Sequence, residues 1–210
     1  MLIVGAKGFA KEVLEIFHQK GETENLCFYD DTTPDFPNEL YGKFKVLKSL
    51  EEAEKYFENI DSQFTIGIGK PHLRKILAKK FEKIGGQLTS AVSKFAEIGS
   101  FGIVIGDGSN ILSGVKISND VKIGKGTMIY YNTVLTPDVT IGDFCEISPS
   151  VNILGRAKIG SNCQIFAGAI IFPDVKIGNN SVIAAGSVVR SDIPENVMAA
   201  GIPAVIKKIF

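Results

Sequence analysis

The chain has 210 residues, and its 23 basic side chains balance 23 acidic ones. This balance argues against a general electrostatic grip on nucleic acid or on an anionic membrane, and no stretch approaches the roughly twenty apolar residues of a membrane span. Three cysteines are too few for a disulfide scaffold. The first residues do not resemble a secretion signal, so we expect a cytoplasmic protein.

The N-terminal part of the chain alternates between short apolar strands and helices. Strands are predicted at 2–4, 26–29 and 64–68, and helices at 11–19, 50–57 and 73–84. Such alternation is typical of a parallel sheet with crossover helices. We therefore predict a small Rossmann-like α/β domain over residues 1–88.

A glycine turn follows the first strand, at Gly5, Ala6 and Gly8, and runs into the first helix. Backbone N–H groups at a helix N-terminus favour an anion. Asp30 and Asp31 end the second strand, where they are placed to accept hydrogen bonds from a ribose or a base edge. Because the full G-x-G-x-x-G fingerprint is missing, the turn alone is weak evidence for dinucleotide binding.

A six-residue unit then repeats fifteen times from Ile105 to Pro194, and Ile, Leu or Val opens every unit. The period matches neither a helix nor an alternating strand, so it predicts a coil of short strands whose corners each bury one aliphatic residue. Ile-Gly opens every third unit, which indicates three faces per turn. Residues eighteen apart should stack about 4.8 Å apart. We predict an all-β coil over 89–194 and a C-terminal tail over 195–210.

The strict hexad and the closing Gly201-Ile202-Pro203-Ala204 resemble the left-handed parallel β-helix of hexapeptide-repeat acyltransferases. The left hand is inherited from this resemblance, because parallel crossovers generally favour the right hand. The whole chain resembles the sugar acyltransferases that include sialic-acid O-acetyltransferases and N-acetyltransferases of nucleotide-linked 4-amino sugars. This resemblance implies a homotrimer in surface-glycan biosynthesis that uses acetyl-CoA as the acyl donor.

The same resemblance implies roles for individual residues. The N-terminal domain is expected to hold the nucleotide part of the sugar substrate, and Asn132, in the unit before Pro137, is a candidate for holding the sugar. The residues matched to nucleotide binding are Gly5, Ala6, Gly8, Asp30, Asp31, Gly69 and Arg74. The expected coenzyme A contacts are Gly155, Gly168, Ala185, Gly186, Gly201, Pro203 and Lys207. Gly155 also matches the glycine whose N–H faces the acyl carbonyl in the family.

The chain departs from the family at the catalytic base. Pro137 stands where the family has its general-base histidine, Asp138 keeps the acid that follows, and Glu146 stands where a second histidine belongs. We rank Glu146 first, since a carboxylate partly desolvated in a cleft can act as base. Asp138 is a second candidate, although a corner aspartate is a common turn residue. In a third interpretation the amine arrives neutral and needs no protein base.

These features favour an acyl-CoA-dependent N-acyltransferase, because a sugar hydroxyl is far harder to deprotonate than an amine. A sugar O-acetyltransferase and a non-catalytic nucleotide-sugar binder remain alternatives. The γ-type carbonic anhydrases share the coil but need several zinc-binding histidines, and the coil here has none. We therefore predict no metal site.

Overall fold

The computed structural model describes residues 1–210, and its N-terminal part is a six-stranded sheet with three helices. The elements are β1 (Leu2–Val4), α1 (Gly8–Lys20), β2 (Cys27–Tyr29), β3 (Glu39–Leu40), β4 (Phe44–Leu47), α2 (Leu50–Asn59), β5 (Gln63–Ile66), α3 (Pro71–Glu82) and β6 (Gln87–Leu88). The strand order is β3-β4-β2-β1-β5-β6, and only the β3–β4 pair is antiparallel. The predicted α/β domain is confirmed, whereas β3, β4 and β6 were not predicted.

Alternation along the central strand places apolar residues on both faces of this sheet. Ile3 packs with α1, whereas Leu2 and Val4 pack with α2 and α3, and all three are buried. Opposite faces of a strand alternate with a period of two. A sheet covered on both sides needs such continuous apolar strands.

The remaining chain forms a parallel β-helix with three faces. Face one holds Ala91–Val92, Asn110–Ile111, Met128–Ile129, Glu146–Ile147, Gln164–Ile165, Val182–Ile183, Val197–Gly201 and Ala204–Ile209. Face two holds Glu97–Ile98, Lys116–Ile117, Val134–Leu135, Asn152–Ile153, Ile170–Ile171 and Val188–Val189. Face three holds Val104–Ile105, Lys122–Ile123, Thr140–Ile141, Lys158–Ile159 and Lys176–Ile177. The register pairs Ile123 with Ile141 and Ile141 with Ile159, which confirms the eighteen-residue period.

The position of the aliphatic openers differs from the prediction. Each opener is the second residue of a two-residue strand and points into the core, so it lies on a face and not at a corner. The corner falls at the fourth place of the unit, where the backbone is left-handed in every unit but the last, as at Asp138 (φ 65°) and Gly168 (φ 69°). Glycine, Asn and Asp adopt this conformation most readily. The recurrence of those residues at the corners follows from this requirement.

The β-helix begins before the strict repeat does. Strands at Ala91–Val92 and Glu97–Ile98 already pair with the next coil, at a spacing of nineteen residues. One extra residue between Ile98 and Ile105 causes this offset and hides the first units from a search for strict hexads. At the other end, an antiparallel hairpin of Val197–Gly201 and Ala204–Ile209 closes face one.

The N-terminal domain is fixed to face one by buried polar contacts. The Asn110 side chain donates to the Ile66 carbonyl (2.8 Å) and accepts from the Thr65 hydroxyl (2.8 Å). Both polar side chains are fully buried. Buried amides are costly unless paired, so these bonds hold the domain in one register on the coil.

None of the three helices has the length and apolar character that a membrane-spanning helix requires.

Candidate active site

A cleft of about 430 Å³ opens at the carboxyl ends of β1, β2 and β5. Ligands of open parallel sheets bind at this edge. Gly5, Ala6, Gly8, Asp30, Asp31 and Gly69 all line the cleft, together with Phe9, Thr32, Thr33, Gly67, Leu73 and Ile76. Six of the residues matched to nucleotide binding are therefore brought together by the fold.

The N-terminus of α1 faces this cleft without a competing anion. No acidic residue lies in its first turn, and the preceding Lys7 makes no side-chain cap. The N–H groups of Gly8 and Phe9 consequently have no protein acceptor. Free N–H groups at a helix N-terminus provide a site for a phosphate-like anion.

The two aspartates at the end of β2 have different surroundings. Asp30 is buried, and its carboxylate accepts from the N–H groups and hydroxyls of Thr32 and Thr33. Burial opposes its ionisation, but these four hydrogen bonds outweigh it and keep the pKa of Asp30 below the ordinary value. Asp30 thus orders its own turn while still lining the cleft, and its Oδ2 accepts only one of the four bonds, so its expected contact with a ribose or a base edge stays a prediction. Asp31 is half-exposed and accepts from Tyr29 and Lys80 through one oxygen, which leaves the other for a ligand.

Arg74 does not line the cleft, so its expected role as a nucleotide contact is corrected. Its side chain is fully buried between α3 and the coil, and it donates to the carbonyls of Gly126 and Ile68, each at 3.0 Å through Nε and Nη1. Nη1 also lies 3.5 Å from the sulfur of Met128. The sequence shows a basic residue after a strand, but only packing determines where its side chain points.

Glu146 lies on face one directly above Met128, the residue whose sulfur contacts the buried guanidinium of Arg74. Gln164, one coil higher, donates its amide to Oε2 of Glu146 at 2.8 Å. Partial burial raises the pKa of the Glu146 carboxyl, although Gln164 and the charge of Arg74 oppose the shift. Gly69 lines the cleft, and a Cβ added there would lie 4.0 Å from the buried methyl group of Met128, which places this end of the cleft on the side of the coil that carries Glu146.

Pro137, Asp138 and Gly155 lie at the corner between faces two and three. Asp138 is exposed and occupies the left-handed fourth place, with Arg156 and Asp174 at the same place in the next two coils. Those two form a bidentate ion pair at 2.7 and 2.8 Å. Asp138 therefore has the conformation of a turn residue, as the recurrence of aspartate in its column indicates.

The backbone N–H of Gly155 has no acceptor in the protein. At the corner between faces three and one, the equivalent N–H groups of Lys125, Asp143 and Ser161 each donate to a side chain eighteen residues further on. At Gly155 that residue is Pro173, which offers no side-chain acceptor. The backbone of Gly155 is not left-handed, and an added Cβ would meet only the Pro137 carbonyl at 3.7 Å and Thr136 at 4.0 Å. The fold therefore does not require a glycine here.

The expected coenzyme A contacts are spread along the upper coils. Gly168 and Gly186 adopt left-handed corners between faces one and two, with open space where a side chain would be. Ala185 precedes Gly186 at this corner, and the remaining three, Gly201, Pro203 and Lys207, lie in the exposed C-terminal hairpin. Asn132 lies at a lower corner of the same column, where its side-chain oxygen covers the turn at Gly114, and it does not reach the nucleotide cleft.

One chain does not bring all the predicted catalytic residues together. Glu146 points outward from face one, and the corner that carries Asp138 and Gly155 is opposite that face in a three-sided coil. Because the period assigns each residue to a column, the sequence contains the signal that Glu146 and Gly155 lie on different sides of the coil. Sequence reasoning also missed Gln164 as the partner of Glu146, although their eighteen-residue spacing was visible.

Family models match both parts of the chain. The PglD N-terminal domain matches residues 1–81, and the bacterial transferase hexapeptide repeat matches 102–137, 120–155 and 156–191. No curated protein sequence matches.

Solved structures match nearly the whole chain. A perosamine N-acetyltransferase from Caulobacter crescentus, in complex with CoA and GDP-perosamine, is 30% identical with a TM-score of 0.90, and the match covers 99% of this chain and 96% of that one. WeeI from Acinetobacter baumannii is 28% identical with a TM-score of 0.89 and 98% coverage of both chains. The acetyltransferase domain of PglB from Neisseria gonorrhoeae, 24% identical with a TM-score of 0.87 over 98% of both chains, shares the fold.

The cleft at the sheet edge, the three-sided coil and these matches agree with each other. Both parts of the chain and their order match those of the Caulobacter enzyme over almost its full length. The chain belongs to the hexapeptide-repeat sugar acyltransferases that carry a PglD-type N-terminal domain.

Proposed function

We propose that the chain transfers an acetyl group from acetyl-CoA to the amine of a nucleotide-linked amino sugar, as a step in surface-glycan biosynthesis. The observation that carries this proposal is the nucleotide-type cleft in a domain that buried polar contacts fix to face one, the face that also carries Glu146. The N-acetyltransferase from Caulobacter crescentus, which binds CoA and GDP-perosamine, supports the substrate class. A panel of nucleotide-linked sugars tests which nucleotide and which sugar the chain uses.

In this proposal the free N–H groups at the start of α1 bind the diphosphate, and the second oxygen of Asp31 accepts from the ribose or the base. The sugar then extends past Gly69 toward Met128 and Glu146. The amine attacks the thioester carbonyl, the N–H of Gly155 stabilises the oxyanion, and Glu146 takes the proton of the amine. The carbon–sulfur bond of the tetrahedral intermediate then breaks, and the departing thiolate takes a proton from Glu146, so the products are an amide and the free thiol of coenzyme A.

This arrangement needs two copies of the chain. Glu146 and Gly155 lie on opposite sides of one coil, so the acceptor side of one copy must face the thioester side of another. A closed ring of three copies, as the family resemblance implies, gives three such sites. Light scattering of the purified chain should therefore report a trimer, and a monomer with full activity would contradict this assembly.

The test is thiol release from acetyl-CoA in the presence of GDP-, UDP- and dTDP-linked 4-amino sugars, with mass spectrometry of the sugar product. The corresponding 4-hydroxy sugars form the matched control, because turnover with them would indicate an O-acetyltransferase. Binding of amino sugars without any thiol release would favour a non-catalytic binder.

The variant Glu146→Gln tests the base with little change in shape. We expect kcat/KM to fall at least about tenfold and the acid limb of its pH profile to change, because the glutamine cannot take a proton. In the wild type, the raised pKa of Glu146 places loss of activity at a higher pH than an ordinary glutamate would. A near wild-type rate and profile would favour an amine that reacts without a protein base.

A further inference from the structure

Arg74 is a cation buried inside the protein without a direct ion pair. Its side chain has no measurable exposure, and its hydrogen bonds go to the neutral acceptors of Gly126, Ile68 and Met128. A buried charge is expensive unless an opposite charge compensates it. The hydrogen bonds of Arg74 explain how α3 is attached to the coil. They do not explain why the residue is charged, because a neutral donor could make some of the same bonds.

The compensating charge is the carboxylate of Glu146. Arg74 contacts Met128, and Met128 pairs directly with Glu146 on the neighbouring strand of face one. The two groups do not form a direct ion pair, but each charge favours the ionised form of the other. Burial lowers the pKa of the Arg74 guanidinium to about 10, so it keeps its charge at neutral pH.

Few other charges face this carboxylate. Gln164 approaches from the coil above and is neutral. Tyr130 faces Glu146 from the same side of the coil, and Glu12 of α1 lies beyond the Tyr130 hydroxyl. Desolvation raises the pKa of Tyr130, so it stays neutral at physiological pH, and Glu12 is the only further carboxylate in this cluster. Arg74 is therefore the one cation that acts on Glu146 here.

We propose that Arg74 is a positioning residue for acyl transfer, whose buried cation keeps the Glu146 carboxylate ionised and seated above Met128. The packing of α3 against the coil thereby keeps the base ionised. A residue of the nucleotide-binding domain thus contributes to the reaction on the β-helix. This inference rests on the proposed function, because it takes Glu146 to be the base.

The test compares neutral and charged replacements of Arg74. R74M removes the charge and the donors, R74Q removes the charge but keeps an amide donor for the Gly126 carbonyl, and R74K keeps the charge. K75M is the matched control, since Lys75 is the exposed neighbour on the same helix. Protonation of the Glu146 carboxyl is followed against pH by difference infrared spectroscopy, with E146Q identifying its band.

In R74M and R74Q we expect the Glu146 carboxyl to bind its proton at higher pH than in the wild type. The ratio of kcat/KM at pH 8 to that at pH 6 should rise roughly fivefold or more, because an adjacent opposite charge no longer favours the ionised form. K75M should follow the wild type in both measurements, and R74K should shift the carboxyl titration less than R74M and R74Q do, because a lysine keeps part of the buried charge. An unchanged carboxyl titration in the two neutral variants would overturn the inference.

The infrared titration needs no substrate, so it separates this inference from the proposed function. A shifted titration together with a wild-type pH profile in R74M and R74Q would show that Arg74 does not act through a catalytic base and would overturn the positioning role. Failure of the wild type to release any thiol would refute the proposed function itself. If R74M does not fold, R74Q carries the same comparison with a donor retained.

Discussion

Replacing Gly155 by proline removes one backbone N–H from the proposed site and changes little else. Pro137 and Pro173 occupy the same corner place one coil below and one coil above, so the backbone there accepts a proline ring. The Gly155 N–H has no acceptor within the protein, and an added Cβ would make only ordinary contacts. Gly155→Pro therefore deletes a donor without breaking any hydrogen bond of the folded chain.

The size of the effect follows from the role proposed for that N–H. An oxyanion donor acts on the charge that develops in the transition state, and its loss typically lowers kcat by about 10² to 10³. The KM values for both substrates should change little, because the interaction is made mainly in the transition state. Stability should be kept or raised by about 0.4–1 kcal/mol, since proline at a compatible position restricts the unfolded chain.

The assay is thiol release at saturating acetyl-CoA and amino sugar, with thermal unfolding measured on the same preparations. Gly155→Ala is the matched control, because alanine keeps the N–H and adds only a methyl group with room around it. We expect the alanine variant to retain activity within roughly tenfold, as its methyl group crowds only the incoming thioester. A folded Gly155→Pro variant whose kcat stays within about threefold of the wild type would refute the oxyanion role.

Two further predictions concern the parts that hold the acceptor site in place. Asn110→Ala leaves the Ile66 carbonyl and the Thr65 hydroxyl buried without partners, so the free energy of unfolding should fall by about 1–3 kcal/mol for each group, measured by urea denaturation against the half-buried Asn152→Ala. Asp30→Ala removes the acceptor that orders its turn, so calorimetry should show weaker binding of a nucleoside diphosphate; unchanged affinity would mean that the turn is ordered without it.

The β-helix could be predicted from the sequence because its rules act locally and repeat. One inward aliphatic residue and one left-handed corner per unit are visible as a period of six, and stacking of identical units makes the period of eighteen. The strict period begins only at Ile105, because one extra residue separates Ile98 from Ile105, although the strands on both sides of it still pair with the next coil. Local patterns thus predict the architecture over the part of the chain in which the six-residue spacing is strict.

Side chains whose roles depend on distant parts of the chain were harder to predict. Arg74 has the residue type and position expected of a nucleotide contact, yet its side chain is enclosed by α3 and the coil. Spacing places a residue at the end of a strand, but the direction of a long side chain depends on which acceptors the tertiary fold brings near. Gly155 is the opposite case, because its free N–H follows from Pro173 eighteen residues on.

The buried polar contacts between the two parts of the chain explain how a nucleotide cleft can serve chemistry on a β-helix. An apolar interface tolerates sliding, whereas the fully buried Asn110, Thr65 and Arg74 would each lose their partners if the N-terminal domain shifted by one coil. Their cost when unpaired therefore restricts the domain to one position on face one. In that position Gly69 of the cleft lies close to the buried Met128, and the next residue up the same column is Glu146. In the proposed reaction, the same contacts that fix the domain thus determine which carboxylate lies nearest to the acceptor.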